Sequence, residues 1–240
     1  MQSDSVENIF ARAWSLLTKN PVIIVPGLVV GIVVGIIQIL ILPHPHVDAS
    51  GTYVPGGGGL FTAAAISVIV GVLAFLITQT YTTGMAGAAW QNGATSLADG
   101  SASFREDAGR LFAAILLVAV VGIVVGLVTL GLGWFLVLFF TMYVVPAVVL
   151  DNYSAVPALR LSATIATKRV LSTIIIIVML FAIGLVLALL TVPLAFIPFL
   201  GPIVSAAVSQ VITAYATLVI VGEYLNARRA PDVIAAGPPV

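Results

Sequence analysis

The sequence predicts an all-α integral membrane protein, a bundle of six transmembrane helices with amphipathic helices at one end. Three observations carry this reading. Of 240 residues, 61% are apolar and only 8% are charged. A soluble domain carries about 25% charged residues, so this chain has too few to cover a water-facing surface. Four stretches, 20–47, 49–98, 111–150 and 170–222, contain no Asp, Glu, Lys or Arg. Once six spans are drawn, all nine Lys and Arg fall on one side. Nine acidic residues balance them, so no net basic field draws in nucleic acid. The absence of cysteine excludes disulfides, thiolate metal sites and a cysteine nucleophile.

The elements follow in order. Residues 1–20 read as an amphipathic helix. Asp4 and Glu7 have capping-box spacing, and Val6, Ile9, Phe10, Ala13, Trp14 and Leu17 recur on one face. A spanning helix needs roughly 20 apolar residues. The first charge-free run gives span 21–42, too long for a signal-peptide core of roughly 7–15 residues. After loop 43–59, the second run gives span 60–83. Ser103 and Glu106 have capping-box spacing and predict a helix start there, with Phe104, Ala108, Leu111 and Phe112 along one side. The third run divides into spans 111–129 and 134–150 at Thr129-Leu130-Gly131-Leu132-Gly133. A helix starting at Ser154 or Ala155 puts Val156, Leu159, Ala163, Ala166 and Val170 on one face, with Pro157 in its first turn. The fourth run divides into spans 170–191 and 203–222 at the proline-rich stretch Pro193 to Pro202, leaving 223–240 as a tail. Residues 1–240 thus form a single membrane domain.

Arg12 and Lys19 precede the first span. Arg105 and Arg110 lie between spans two and three, Arg160, Lys168 and Arg169 between four and five, and Arg228 and Arg229 after six. Loops 43–59, 130–133 and 192–202 carry no basic residue. The positive-inside rule then places both termini in the cytoplasm, with the chain in the cell inner (cytoplasmic) membrane. Each pair of spans follows a basic amphipathic helix, which predicts a threefold repeat of helix, span, span. The hexapeptide Val30-Gly31-Ile32-Val33-Val34-Gly35 returns as Val121-Gly122-Ile123-Val124-Val125-Gly126. In both copies the first glycine stands twelve residues after a basic residue, Lys19 or Arg110.

Two segments carry a family resemblance. Tyr81-Thr82-Thr83-Gly84-Met85-Ala86-Gly87-Ala88-Ala89-Trp90 leads into Ser103-Phe104-Arg105. Val148-Val149-Leu150-Asp151 leads into Ala155-Val156-Pro157-Ala158-Leu159-Arg160-Leu161-Ser162. The chain resembles, over nearly its whole length, the six-span membrane domain attached to some bacterial glycerophosphoryl diester phosphodiesterases, and related bacterial membrane proteins. The resemblance implies a six-span membrane fold. It does not imply the phosphodiesterase activity, because no residues here correspond to the catalytic barrel.

Few residues invite chemistry. His44 and His46 alternate in Pro43-His44-Pro45-His46-Val47-Asp48, but the loop offers no clear fourth ligand, and loop polarity explains them. Gly56-Gly57-Gly58-Gly59 lacks the Lys-Ser/Thr of a phosphate loop and reads as a flexible linker. With no paired intramembrane aspartates, no HExxH and no nucleophile elbow, the expectation is a non-enzyme without cofactor or metal. Ionisable residues at mid-membrane usually mark transport, and here Asp151 and Glu223 lie at span ends, within reach of Arg160 and Arg228. Neutral polar groups sit deeper: Gln38, Thr78, Gln79, Thr80, Tyr81, Tyr143, Gln210 and Tyr215. Thr78, Gln79, Tyr81 and Thr82 form the densest patch, which either lines a polar pathway or bonds neighbouring helices. Gly27, Gly31 and Gly35, and again Gly122 and Gly126, have GxxxG spacing and read as helix-packing positions within the chain or between copies. Arg12, Lys19, Arg160, Lys168 and Arg169 read as contacts to anionic lipid headgroups. The function expected is a scaffold or accessory protein acting through helix, lipid or partner contacts. The alternative is a small transporter or channel for an uncharged or lipid-like substrate. Partners expected are membrane lipids and a membrane protein or second copy of the chain, with no nucleic acid.

Overall fold

The computed structural model describes residues 5–41, 46–47, 53–54, 60–131, 133–192, 200–230 and 233. Helix α1 (Val6–Lys19) leads through a 3-10 turn (Pro21–Ile24) into α2 (Val25–Ile41). A two-residue antiparallel pairing, β1 (His46–Val47) with β2 (Tyr53–Val54), lies in the following connection. Then come α3 (Leu60–Asn92), α4 (Leu97–Val128), α5 (Trp134–Thr141), α6 (Val144–Asp151), α7 (Ala155–Lys168), α8 (Val170–Thr191) and α9 (Leu200–Ala227). Among the described residues, six helical segments, with α5 and α6 counted as one, are long and apolar enough to cross a membrane. The protein is an all-α, multi-pass membrane bundle.

Burial follows a membrane pattern. Large apolar side chains point outward along the spans, with Leu40 78%, Leu127 74% and Phe181 71% exposed. Such a surface is stable against hydrocarbon and not against water. Several large, fully buried side chains, Ile9, Leu111, Leu161, Leu218, Glu223 and Tyr224, lie in the half of the bundle that carries the basic residues, hereafter the basic end.

Several boundaries depart from the sequence reading. Span 60–83 continues as helix to Asn92, because nothing breaks it before Gly93, whose φ of +77° suits glycine. The next helix starts at Leu97 rather than Ser103. The Asp99 carboxylate accepts from the Ser96 backbone N–H at 2.7 Å and from its hydroxyl at 3.0 Å. Ser103 sits inside α4 and donates to the Asp99 carbonyl at 3.2 Å. The expected amphipathic helix and span 111–129 are therefore one continuous helix. Span 134–150 is instead broken between α5 and α6. Pro146 has no N–H for the helical ladder, and Ser162 of α7 inserts at the break. Its hydroxyl donates to the Phe140 carbonyl at 2.6 Å and accepts from Tyr143 N–H at 3.0 Å. This turns α7 from its expected face, so Ala158, Leu161, Ser162, Ile165 and Ala166 are buried while Val156 is 50% exposed. The last span continues to Ala227, so the first five residues of the expected tail are helical.

The first helix also differs in detail. Its cap is Ser5, whose hydroxyl accepts from Asn8 N–H at 3.3 Å, while Asp4 lies outside the described residues. Ile9, Ala13, Leu16 and Leu17 are buried, and α1 packs along α9. Trp14 is exposed, meeting Tyr215 edge-on at 5.9 Å.

The three units share one spacing. Ser5, Ser96 and Ser154 are N-cap residues, and each stands fourteen residues before a basic residue, Lys19, Arg110 or Lys168. In the first and third units the helix stops there, and the next residue bends the chain into the span. Asn20 (φ −127°, ψ 62°) and Arg169 (φ −123°, ψ 44°) have similar backbones. The second unit runs straight through Arg110 into Leu111. Units one and three are thus alike in backbone, whereas the repeated hexapeptide belongs to units one and two.

Candidate functional site

At the basic end the charged residues tie elements together. Glu223 of α9 is fully buried, with Arg169 Nε 2.7 Å from its Oε1 and Asn226 Nδ2 donating to Oε2 at 3.3 Å. The Arg169 N–H is not aimed at Oε1, so the contact is an ion pair rather than a well-formed hydrogen bond. Beside it, the Tyr143 and Thr173 hydroxyls stand 3.1 Å apart. At the end of α6, Asp151 accepts from the Tyr224 hydroxyl and pairs with Arg228 at 3.1 Å. Burial opposes the Arg228 charge, but the Tyr153 hydroxyl, Tyr224 and Asp151 outweigh it and hold its pKa above the ordinary arginine value. A third cluster joins buried Asp107 to Arg110 at 2.7 Å, and Arg110 onward to the Asn152 side chain at 2.8 Å. Asn152 can close α6 in the left-handed region (φ 58°) because asparagine tolerates it. Asn20 fastens the other side, donating to Gly93 O at 3.2 Å and accepting from Thr95 N–H at 3.1 Å.

Further along the bundle, α2, α3 and α9 line an open crevice of about 350 Å³. Gly27 and Gly31 hollow out its α2 wall. Thr78 and Gln79 come from α3, Gln210 and Thr213 from α9. The Gln210 carboxamide lies over Gly27 so closely that a Cβ there would overlap it. No ionisable side chain lines the crevice. Thr213 satisfies its own helix by donating to Ser209 O at 2.9 Å. Gln79, Gln210 and Thr78 make no side-chain hydrogen bond among the described residues. An uncharged but unpartnered carboxamide in an apolar medium carries a desolvation cost until something bonds it. Val30, Val34 and Ala74 also line a furrow of about 290 Å³ with Val29, Val33, Ile37, Val70, Leu73 and Ile77, almost purely apolar. Trp90 Nε1 donates to Leu218 O at 2.8 Å, placing these residues at one level. Gln79 lies eleven residues before Trp90 and Gln210 eight before Leu218. At 1.5 Å per residue the crevice sits about 12–17 Å into the bundle from that level.

The expected site residues are thus distributed unevenly. Of the α3 patch, Thr78 and Gln79 reach the crevice. Tyr81 instead packs on Phe104 at 5.5 Å, and Thr82 is buried outside the crevice lining. Thr80 bonds its own helix at Leu76 O, 2.7 Å away. Within the first glycine series, Gly27 is crowded by Gln210, Gly31 has that side chain at ordinary distance, and Gly35 has open space around it. Gly122 and Gly126 lie under the Trp134 ring rather than against another backbone. The glycines in tightest contact between elements include two that sequence spacing does not single out: Gly87 against Leu150 and Gly222 against Trp90. Lys19, Arg160 and Lys168 are exposed at the basic end. Arg169, read as a headgroup contact, instead pairs with buried Glu223, taking the place expected for Arg160 or Arg228. Arg12 stacks over Trp90, 4.6 Å from the ring centre. His46 lies in β1, while His44 and Asp48 are outside the described residues.

Comparison of this chain with known protein families, with characterised proteins and with solved structures finds no match.

Proposed function

We propose that this protein is a non-enzymatic accessory of the cell inner (cytoplasmic) membrane, with both termini cytoplasmic, and that it works by holding an uncharged, lipid-like molecule between α2, α3 and α9. One observation carries the reading: two carboxamides and a hydroxyl, Gln79, Gln210 and Thr78, face a glycine-hollowed crevice in an apolar bundle and lack hydrogen-bond partners among the described residues. Carboxamides donate and accept, so they suit an ester, amide or hydroxyl. The adjoining apolar furrow suits a hydrocarbon chain. The pairing of Glu223 and Asp151 with arginines at the basic end supports a structural use of charge rather than an ion-coupled cycle. On this reading the resemblance to the phosphodiesterase-associated membrane domain is a relationship of the membrane part alone.

The test is purification in native lipid followed by mass spectrometry of what copurifies. The wild type should retain a neutral lipid-like species, and Gln79→Leu/Gln210→Leu should lose most of it. Equal retention by both proteins would remove the crevice from the proposal. Proteoliposomes should show no proton or sodium flux, and a flux dependent on Asp151 or Glu223 would favour the transporter reading.

A further inference from the structure

A second concavity lies at the basic end, between α1, α3 and α9. Its volume is about 220 Å³, and its lining includes Arg12, Trp90, Gln91, Gly222, Asn226 and Arg229. We propose that it binds a phosphate-bearing anion. The site shares no residue with the crevice between α2, α3 and α9, so either proposal can fail without the other.

The charge arrangement points to an anion. Among the described residues, three arginines make ion pairs: Arg110, Arg169 and Arg228. Arg12 and Arg229 make none, yet they line the same concavity, and among the described residues no carboxylate lines it with them. Glu223, on the same helix, is turned inward to Arg169. Both guanidinium groups are exposed, so water screens their mutual repulsion, and an anion between them would be attracted to both. A guanidinium has five N–H donors in a planar fork that matches two phosphate oxygens at once.

The pocket is built rather than incidental. Arg12 Nη2 donates to the Trp90 carbonyl at 3.1 Å, and its guanidinium lies over the Trp90 ring. Those contacts use one of the N–H donors of the guanidinium and leave the others without a protein partner among the described residues. Trp90 is itself held by its bond to Leu218 O and seated against Gly222, where a Cβ would overlap the ring. Gln91 adds an exposed carboxamide, whose N–H groups can bond phosphate oxygens. Trp90 is three residues from Gly93, where α3 ends, so the pocket lies at the mouth of the bundle. An indole between an apolar body and a wet surface is characteristic of the headgroup level. The phosphate belongs either to a phospholipid headgroup or to a soluble phosphate compound, and both present the same oxygens to the arginines.

The experiment uses the full chain in phosphatidylcholine nanodiscs, with thermal unfolding as the readout. One arm adds phosphatidylglycerol to the nanodisc. The other adds inorganic phosphate to the buffer at constant ionic strength. Arg229→Gln is the main variant, because its side chain is exposed and holds no other element. Arg12→Gln is the second, and Arg105→Gln, an exposed arginine on α4 outside the pocket, is the control. Wild type and Arg105→Gln should be stabilised by at least one probe, with roughly tenfold weaker half-saturation in Arg229→Gln. A response to phosphatidylglycerol alone assigns the site to lipid, and a response to inorganic phosphate assigns it to a soluble ligand. No response to either probe, or an Arg229→Gln response equal to wild type, overturns the proposal. Should Arg12→Gln fail to fold, Arg229→Gln decides alone.

Discussion

The Arg169–Glu223 pair allows the sharpest test of how charge is used here. Each partner can be removed singly, and the two orphans are not equivalent. Arg169→Met leaves the Glu223 carboxylate with no exposure and only the Asn226 bond at 3.3 Å. Stranding a buried charge costs about 3–5 kcal/mol. Glu223→Gln leaves Arg169, whose side chain is 15% exposed and lies at the start of α8. Its long stem can carry the guanidinium toward the headgroups, which limits the loss to about 1–3 kcal/mol. The double variant Arg169→Met/Glu223→Gln strands no charge, so it should be more stable than Arg169→Met alone. Unfolding in mixed micelles, followed by circular dichroism, measures all four proteins at one pH. The expected order of stability is wild type, Glu223→Gln, Arg169→Met, with the double variant above the last. If Glu223→Gln were the more damaging single change, or if the two losses simply added, the pair would not be a buried, mutually dependent unit.

Two further outcomes test packing and orientation. Gly27→Ile should insert normally yet lose about 1–3 kcal/mol by displacing Gln210, whereas Gly35→Ile and Gly71→Ile, which meet open space, should melt like the wild type. Similar losses in all three variants would mean that the Gln210 contact is not what requires glycine at position 27. In intact cells, Ser50→Cys should react with an impermeant thiol reagent and Ser101→Cys should not, and the reverse pattern would invert the orientation.

The spans were legible because insertion depends on local composition. A run of 28 to 53 residues without charge, such as 20–47 or 170–222, admits few arrangements in a membrane. Helix ends were less legible, since a helix need not stop where the hydrocarbon stops. Asp99 caps at Ser96 as effectively as the Ser103–Glu106 spacing promised to, and only the surrounding fold chooses between them. The break at Tyr143 depends on Ser162, nineteen residues away, which a periodic reading assigns to no particular role.

The crevice shows why site residues resisted a motif reading more than the spans did. Gly27, Gly31 and Gly35 share one spacing, and spacing alone gives them one role. In the fold they face three different environments, because Gln210 crosses α2 at Gly27 and only there comes too close for a Cβ. Residue 210 is distant in sequence, so no window of the chain contains both halves of the contact. The same holds for Arg169. As a basic residue at the end of an amphipathic helix it carries the local signature of a headgroup contact. Its partner, Glu223, comes from another helix, and pairing costs less than leaving that carboxylate buried alone. Arg12 carries the same local signature but makes no ion pair among the described residues, and that difference in partners, not any difference in sequence pattern, is what the anion proposal rests on.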